Sequence, residues 1–276
     1  MNRRKKFSKL GLAVLVTYVL MILMNYLANA LPLNGRTTGE VSDLYSNLFA
    51  PAGYTFAIWG VIYVLLAFHT VYQLGFFRVG ERSEVRETAD KTALYFIISS
   101  IANALWIVAW HYGKLGISVV LMAVILVCLI FINLRTAKAD LSVKEKFFIR
   151  LPFSVYFGWI TVATIANVTA FLVKAEWSGF GLSGAAWTVI LLLVGTVIGV
   201  LTLLKIWSAP YGFTLVWAFI GIYSKHVSPD GWNEQYPGII LTVSICILVL
   251  AALSLWVLIK RPKRRQRGYQ SGAYRF

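Results

Sequence analysis

Long apolar runs separated by short polar segments occupy nearly the whole chain, and their lengths set the first expectation. Uninterrupted apolar stretches cover about 10–30, 54–75, 92–110, 115–134, 149–173, 184–204 and 238–259, with a shorter one at 210–224. A hydrocarbon core about 30 Å thick needs roughly 17–25 apolar residues for a helical crossing. In lipid, each backbone amide must be satisfied within the protein, so runs of this length predict helices. The dyad alternation of a membrane β-barrel is absent from the sequence. At 1.5 Å per residue, 210–224 reaches only about 22 Å and could form a re-entrant loop; counting it as a crossing keeps both chain ends on one side.

Within these runs, aromatic and amide side chains fall on helical faces. Trp59 and Tyr63 are four apart, Asn103, Trp106 and Trp110 follow at i, i+3 and i+7, and Tyr156, Trp159, Ala163 and Asn167 keep the same rhythm. Residues three and four apart share a face. With a cytoplasmic N-terminus, the alternating span directions bring these groups, with Asn25 and Asn29, to the outer half of the membrane beneath loop 31–53. Such a stripe is a pocket wall or a packing seam. Trp and Tyr near span ends also form interfacial belts, and Asn facing another helix is ordinary interhelical glue; Trp110, Trp187 and Trp256 are assigned to the belt. A loop of about twenty residues between helices is often a functional lid, and Asn34, Gly35, Thr37, Thr38 and Gly39 would let it move.

Composition confirms the medium. Of the residues, 59% are hydrophobic and 13% charged, with mean hydropathy +0.72, against about 25% charged in soluble domains. This is the make-up of an integral membrane protein. The net charge of +15 is concentrated: with eight crossings, 22 of the 26 Lys and Arg fall in cytoplasmic segments, as basic residues do. The charge is thus mainly a topology signal with both termini cytoplasmic, and attraction to anionic inner-leaflet lipid follows from it. No nucleic acid is needed as a partner, and 260-KRPKRRQR-267 reads as a stop-transfer flank. Arg3 to Lys6, an apolar run and Ala28-Asn29-Ala30 share features with a cleavable signal peptide, but the run exceeds the usual 7–15 residues. Cys128 and Cys246 sit in apolar spans at no metal or redox spacing and read as small buried hydrophobes.

Conventional catalytic chemistry has little to work with. Intramembrane ionisable residues mark ion pathways and proton relays, yet all 11 acidic residues fall in loops. His69 lies near an inner end, His111 and His226 at outer ends. There is no G-x-S-x-G elbow, no phosphate-cradling glycine loop and no charged general base within the spans. No catalytic or metal-ligating residue is expected.

The segments Pro51-x7-Trp59-x3-Tyr63, Asn103-x2-Trp106 and Tyr156-x2-Trp159-x3-Ala163-x3-Asn167 resemble the TspO/MBR family, the tryptophan-rich sensory proteins that include the translocator protein. The resemblance covers roughly 10–173. It implies a five-helix bundle whose cavity, under the first loop, binds porphyrins and other flat hydrophobic molecules; degradation of a porphyrin is ascribed to some members. Carried over, it makes Trp59, Tyr63, Asn103, Trp106, Trp159 and Asn167 ligand-binding residues, with a tetrapyrrole, porphyrin or haem, as guest rather than as a certain cofactor. Two departures stand out. The family's Lys-Pro-x-Trp-x-Pro-Pro-x-Trp approach is reduced here to Pro51-Ala52-Gly53-Tyr54, and Val155-Tyr156 takes the place of the family's Pro-Tyr pair. Were haem ligated, an axial His would be needed; His111 is best placed, with a solvated helix end as its default.

The expected fold is therefore an all-α integral membrane protein of a bacterial plasma membrane, with eight transmembrane helices. Residues 1–174 form a TspO-like five-helix bundle, 175–259 a three-helix transmembrane extension and 260–276 a basic cytoplasmic tail. Pro210-Tyr211-Gly212-Phe213-Thr214, with Trp217 and Tyr223 beyond, echoes Pro51-Ala52-Gly53-Tyr54-Thr55 with Trp59 and Tyr63 beyond, in the opposite membrane direction. Inverted repeats occur in transporters. The expected function is a receptor or sensor for a planar hydrophobic ligand; the alternatives are a permease or transporter subunit and a porphyrin-degrading membrane protein. Lipid and a small hydrophobic ligand are the expected partners, with a homodimer as one arrangement open to the chain.

Overall fold

The computed structural model describes residues 8–31, 33–78 and 80–260. Ten α-helices follow one another among them: α1 (Lys9–Ala30), α2 (Thr38–Asp43), α3 (Ile58–Gln73), α4 (Ser83–His111), α5 (Leu115–Lys138), α6 (Val143–Glu145), α7 (Leu151–Lys174), α8 (Gly184–Ile206), α9 (Ala209–Val227) and α10 (Pro237–Ile259). No strand occurs among the described residues. Seven helical segments are long and apolar enough to cross a membrane. The 19-residue α9, with Lys225 and His226 in its last turn, is not among them. The outward faces of the long helices carry exposed Leu20, Val64, Leu105, Val120, Leu201 and Leu248, a perimeter suited to lipid and costly in water. The chain is an integral membrane protein. Arg3 to Lys6 and the tail beyond Lys260 lie outside the described residues.

Local chemistry sets the helix ends. Ser8 Oγ accepts from Gly11 N at 2.9 Å to cap α1, and Ser183 Oγ does the same for α8 from Ala186 N at 3.2 Å. α4 begins nine residues before its apolar run. Its first turns, Ser83 to Asp90, are polar but rich in helix formers, and the Glu87–Lys91 pair spaces opposite charges one turn apart, which supports a helix that hydropathy alone does not register. Pro152 near the start of α7 has no N–H to give to Phe148. The chain passes through a wide turn at Lys146–Arg150, and the Phe148 carbonyl instead accepts from Nδ1 of the buried His69 at 2.9 Å.

α7 is the central element. It packs on α5 and α3 on one side and on α9 on the other, while α1 and α4 complete the first group and α8 and α10 lean on α9. Glycines make the second group's crossings close. A Cβ at Gly158 would stand 2.6 Å from the Tyr211 carbonyl oxygen and 2.7 Å from Thr214 Cβ, and one at Gly199 would meet Leu215 Cδ1 at 2.6 Å. Close backbone approach of this kind supplies dispersion where lipid offers no hydrophobic driving force. The two echoing segments meet head to tail rather than as equivalent halves. Ala52 N donates to the Gly221 carbonyl at 3.0 Å, and Trp217 Nε1 donates to the Thr55 carbonyl at 3.0 Å, so the end of α9 holds the approach to α3.

Candidate functional site

The site is built on α3, α4 and α7, whose ring-bearing faces turn toward one another. Trp59 lies at the centre. Its ring stacks on Tyr63 (centroids 5.5 Å apart, 22° between planes) and meets Trp106 at 6.1 Å, Tyr156 at 5.8 Å and Trp159 at 6.2 Å, the last two edge to face. These separations fall in the favourable range for aromatic pairs, about 4.5–7 Å. Phe56 caps Trp159 edge-on at 5.8 Å, and Trp110 extends the cluster by stacking on Trp106 at 6.0 Å.

Amides tie the rings in place. Asn103 Nδ2 donates to Tyr156 Oη at 3.0 Å while its Oδ1 accepts from Asn25 Nδ2 at 2.8 Å, which links α1, α4 and α7. Asn167 Oδ1 accepts from Trp106 Nε1 at 3.1 Å, and its Nδ2 donates to Ser118 Oγ at 2.8 Å. Asn25, Asn103, Ser118 and Asn167 are all buried. Removing one member strands its partner, which costs more than the bond's net worth. Asn103→Leu is therefore expected to lower stability by about 1–3 kcal/mol, and adding Tyr156→Phe should restore part of the loss; thermal unfolding of the single and double variants in detergent is the check.

Two donors in this cluster have no partner. Tyr63 Oη and Trp159 Nε1 are both buried without a hydrogen bond, and both residues touch the Trp59 ring between them. Buried polar groups are nearly always satisfied, and each exception calls for an explanation.

Residues 33–57 close over this end of the bundle. This stretch is more ordered than its small polar residues suggest. Thr37 and Glu40 form a capping box for α2, and the Thr37 backbone N–H, donating to the Glu40 carboxylate, holds that carboxyl below its usual titration range. Thr38 N donates to Asn29 Oδ1 at 3.2 Å, Asn34 Nδ2 to the His111 carbonyl at 3.1 Å, and His226 Nε2 to the Leu48 carbonyl at 2.8 Å. Trp110 Nε1 donates to the Thr38 carbonyl at 3.3 Å. This corrects the assignment of Trp110 to an interfacial belt: the ring is buried because residues 33–57 cover it. His111 is likewise buried rather than solvated, its Nδ1 donating to the Ile107 carbonyl at 2.8 Å. Trp256 keeps a partly exposed position against Trp207, with the Lys260 ammonium 5.1 Å from its ring centre.

All six expected residues thus meet in one assembly, but the space among them is filled by rings. A separate cavity of about 550 Å³ lies under the same segment and is lined on α7 by Thr164, Val168 and Leu172. At 3.6 residues per turn, that face is opposite the one carrying Tyr156, Trp159 and Asn167. Ser118 was not anticipated: a lone serine in an apolar run carries no signal until its partner is known. Tyr156 and Asn25 stand in the pattern, yet their role as links through Asn103 arises only when the helices pack.

A family model described as TSPO-like protein matches residues 11–256, a range that runs from α1 into α10. No curated protein and no solved structure matches the chain.

Proposed function

The chain belongs to the TSPO-like protein family, and from that premise we propose that the Trp59 cluster is the binding site of a membrane receptor or sensor for a planar hydrophobic ligand such as a porphyrin. The observation that carries the reading is the pair of buried, unpartnered donors, Tyr63 Oη and Trp159 Nε1, flanking the Trp59 ring. A flat guest with carboxylate or carbonyl oxygens would satisfy both donors, while the rings cover its faces. Entry requires side-chain movement. Tyr63 is only half-buried, so the Trp59–Tyr63 stack is the element nearest the surface and the one that swings aside.

In this reading all eight long helices cross a bacterial plasma membrane, α9 included, and both termini are cytoplasmic. The ring cluster then lies in the outer half, with residues 33–57 as its lid. Residues 1–174 hold the ligand and 175–259 brace the lid through α9; the hydrogen bonds from Ala52 to Gly221 and from Trp217 to Thr55 support that division of labour. Because α9 grips the lid segment, ligand entry and the arrangement of the C-terminal helices are linked, which is how a sensor would pass on occupancy.

Purified protein in detergent, titrated with protoporphyrin, is expected to show saturable quenching of Trp fluorescence. Trp159→Phe keeps a ring but removes the free N–H, and should weaken binding about tenfold, the worth of one hydrogen bond near 1.4 kcal/mol. Equal affinity in the two proteins, or quenching that never saturates, removes the proposal.

A further inference from the structure

We infer that the 550 Å³ cavity on the opposite face of α7 is a second ligand site, shaped for an uncharged quinone-type ring bearing an apolar chain. The inference stands apart from the porphyrin reading, since the two sites share no ring or amide of the Trp59 cluster. The cavity falls in the size range of small-molecule sites, about 300–1,000 Å³. Part of its lining is aliphatic: Ile165, Val168 and Leu172 of α7 and Leu191 of α8. Trp177, Trp187, Trp232 and Tyr236 supply its aromatic lining, and Asn47 and Leu48 of the lid segment also border it.

Three features select the chemistry. First, among the described residues no Asp, Glu, Lys, Arg or His lines the cavity, so a charged guest would be desolvated without a counter-charge; the guest is neutral. Second, the indoles offer flat faces. Trp177 and Trp187 pack at 5.1 Å, while Trp232 and Tyr236 meet edge to face at 5.7 Å, and such rings offer surfaces on which a flat guest can stack. Third, one donor is unspent. Trp187 Nε1 is bonded to the Gly179 carbonyl at 2.7 Å, but Trp232 Nε1 is buried with no partner. A quinone carbonyl is a pure acceptor and answers that N–H once the Trp232 ring, whose nitrogen is closed off from solvent, turns toward the guest, while its apolar chain lies against the aliphatic residues of α7 and α8.

The elements that form the cavity include the stretch beyond Val173, which gives α8 and the loop before α10 a binding role as well as a bracing one. Leu48 joins the site to the lid, because its carbonyl accepts from His226 Nε2 and the residue also lines the cavity.

The test uses the full-length chain in detergent and decylubiquinone, whose fully substituted ring does not alkylate thiols. Saturable quenching of Trp fluorescence is expected. Leu191→Trp, which fills the aliphatic wall, should abolish the saturable component while leaving the protoporphyrin response intact, showing that the protein is folded. Trp232→Phe removes only the N–H and should weaken decylubiquinone binding about tenfold. Quenching that rises linearly as partition into micelles, or that is the same in Leu191→Trp and the parent protein, overturns the inference. Should Leu191→Trp fail to fold, Trp232→Phe decides alone: an unchanged affinity overturns it. Loss of the protoporphyrin response in the parent protein, with decylubiquinone binding retained, would remove the first site and leave the second.

Discussion

Trp59→Ala is expected to cost about 3–5 kcal/mol of stability and to abolish the protoporphyrin response. The ring touches Tyr63, Trp106, Tyr156 and Trp159, so truncation opens a hole walled on four sides by aromatic faces. Those faces belong to α3, α4 and α7, each anchored by other contacts, which limits how far they can collapse inward. The cost persists in a membrane because it comes from lost dispersion, not only from hydration. Trp59→Phe keeps a stacking partner for Tyr63 and should lose less than half as much. Thermal unfolding in detergent ranks the three proteins. A Trp59→Ala midpoint within error of the parent would mean the ring is peripheral to the fold.

The second large effect concerns Gly158. A leucine there is expected to drive α7 and α9 apart, because the obstacle includes a backbone atom, the Tyr211 carbonyl oxygen, 2.6 Å from where Cβ must go. Side chains can rotate away; a helix backbone cannot. Overpacking typically costs about 1–3 kcal/mol, and a backbone clash should reach or exceed the top of that range. Gly158→Ala already places Cβ inside contact distance and should show a smaller loss of the same kind. Residue 158 immediately precedes Trp159, so the variant should also weaken protoporphyrin binding. The control is Gly60 of α3, where an added Cβ would meet nothing within 4 Å; Gly60→Ala should be neutral or stabilising through helix propensity, by up to about 1 kcal/mol. If Gly158→Leu behaves like Gly60→Ala, the α7–α9 crossing is not as close as described.

Much of this architecture is legible in periodicity. The long helices coincide with the apolar runs, and the i, i+3, i+4 spacing of Trp59, Tyr63, Asn103, Trp106, Trp159 and Asn167 places all six on facing surfaces. What hydropathy does not register are features made of polar residues. The start of α4 at Ser83 is helical through propensity and an ion pair. The Thr37-x-x-Glu40 pattern is a recognisable capping box, yet its flanking glycine and threonine residues give it the look of a mobile loop. Trp110 differs from its expected place for a related reason: position near a helix end is the mark of an interfacial residue, and only the Thr38 carbonyl arriving from a distant segment turns it into a buried one. The cavity beside α8 is a matter of helix spacing, which no local pattern records.

The central claim is that Trp159 Nε1 waits for a guest, and the indole N–H resonances test it most directly. The chain has 10 Trp residues, and labelling them with nitrogen-15 gives each a separate proton–nitrogen signal. On addition of protoporphyrin, the Trp159 signal, assigned through Trp159→Phe, should move toward a hydrogen-bonded position, while that of Trp217, already bonded to the Thr55 carbonyl, stays in place. A Trp159 signal that does not move at saturating protoporphyrin would contradict the account.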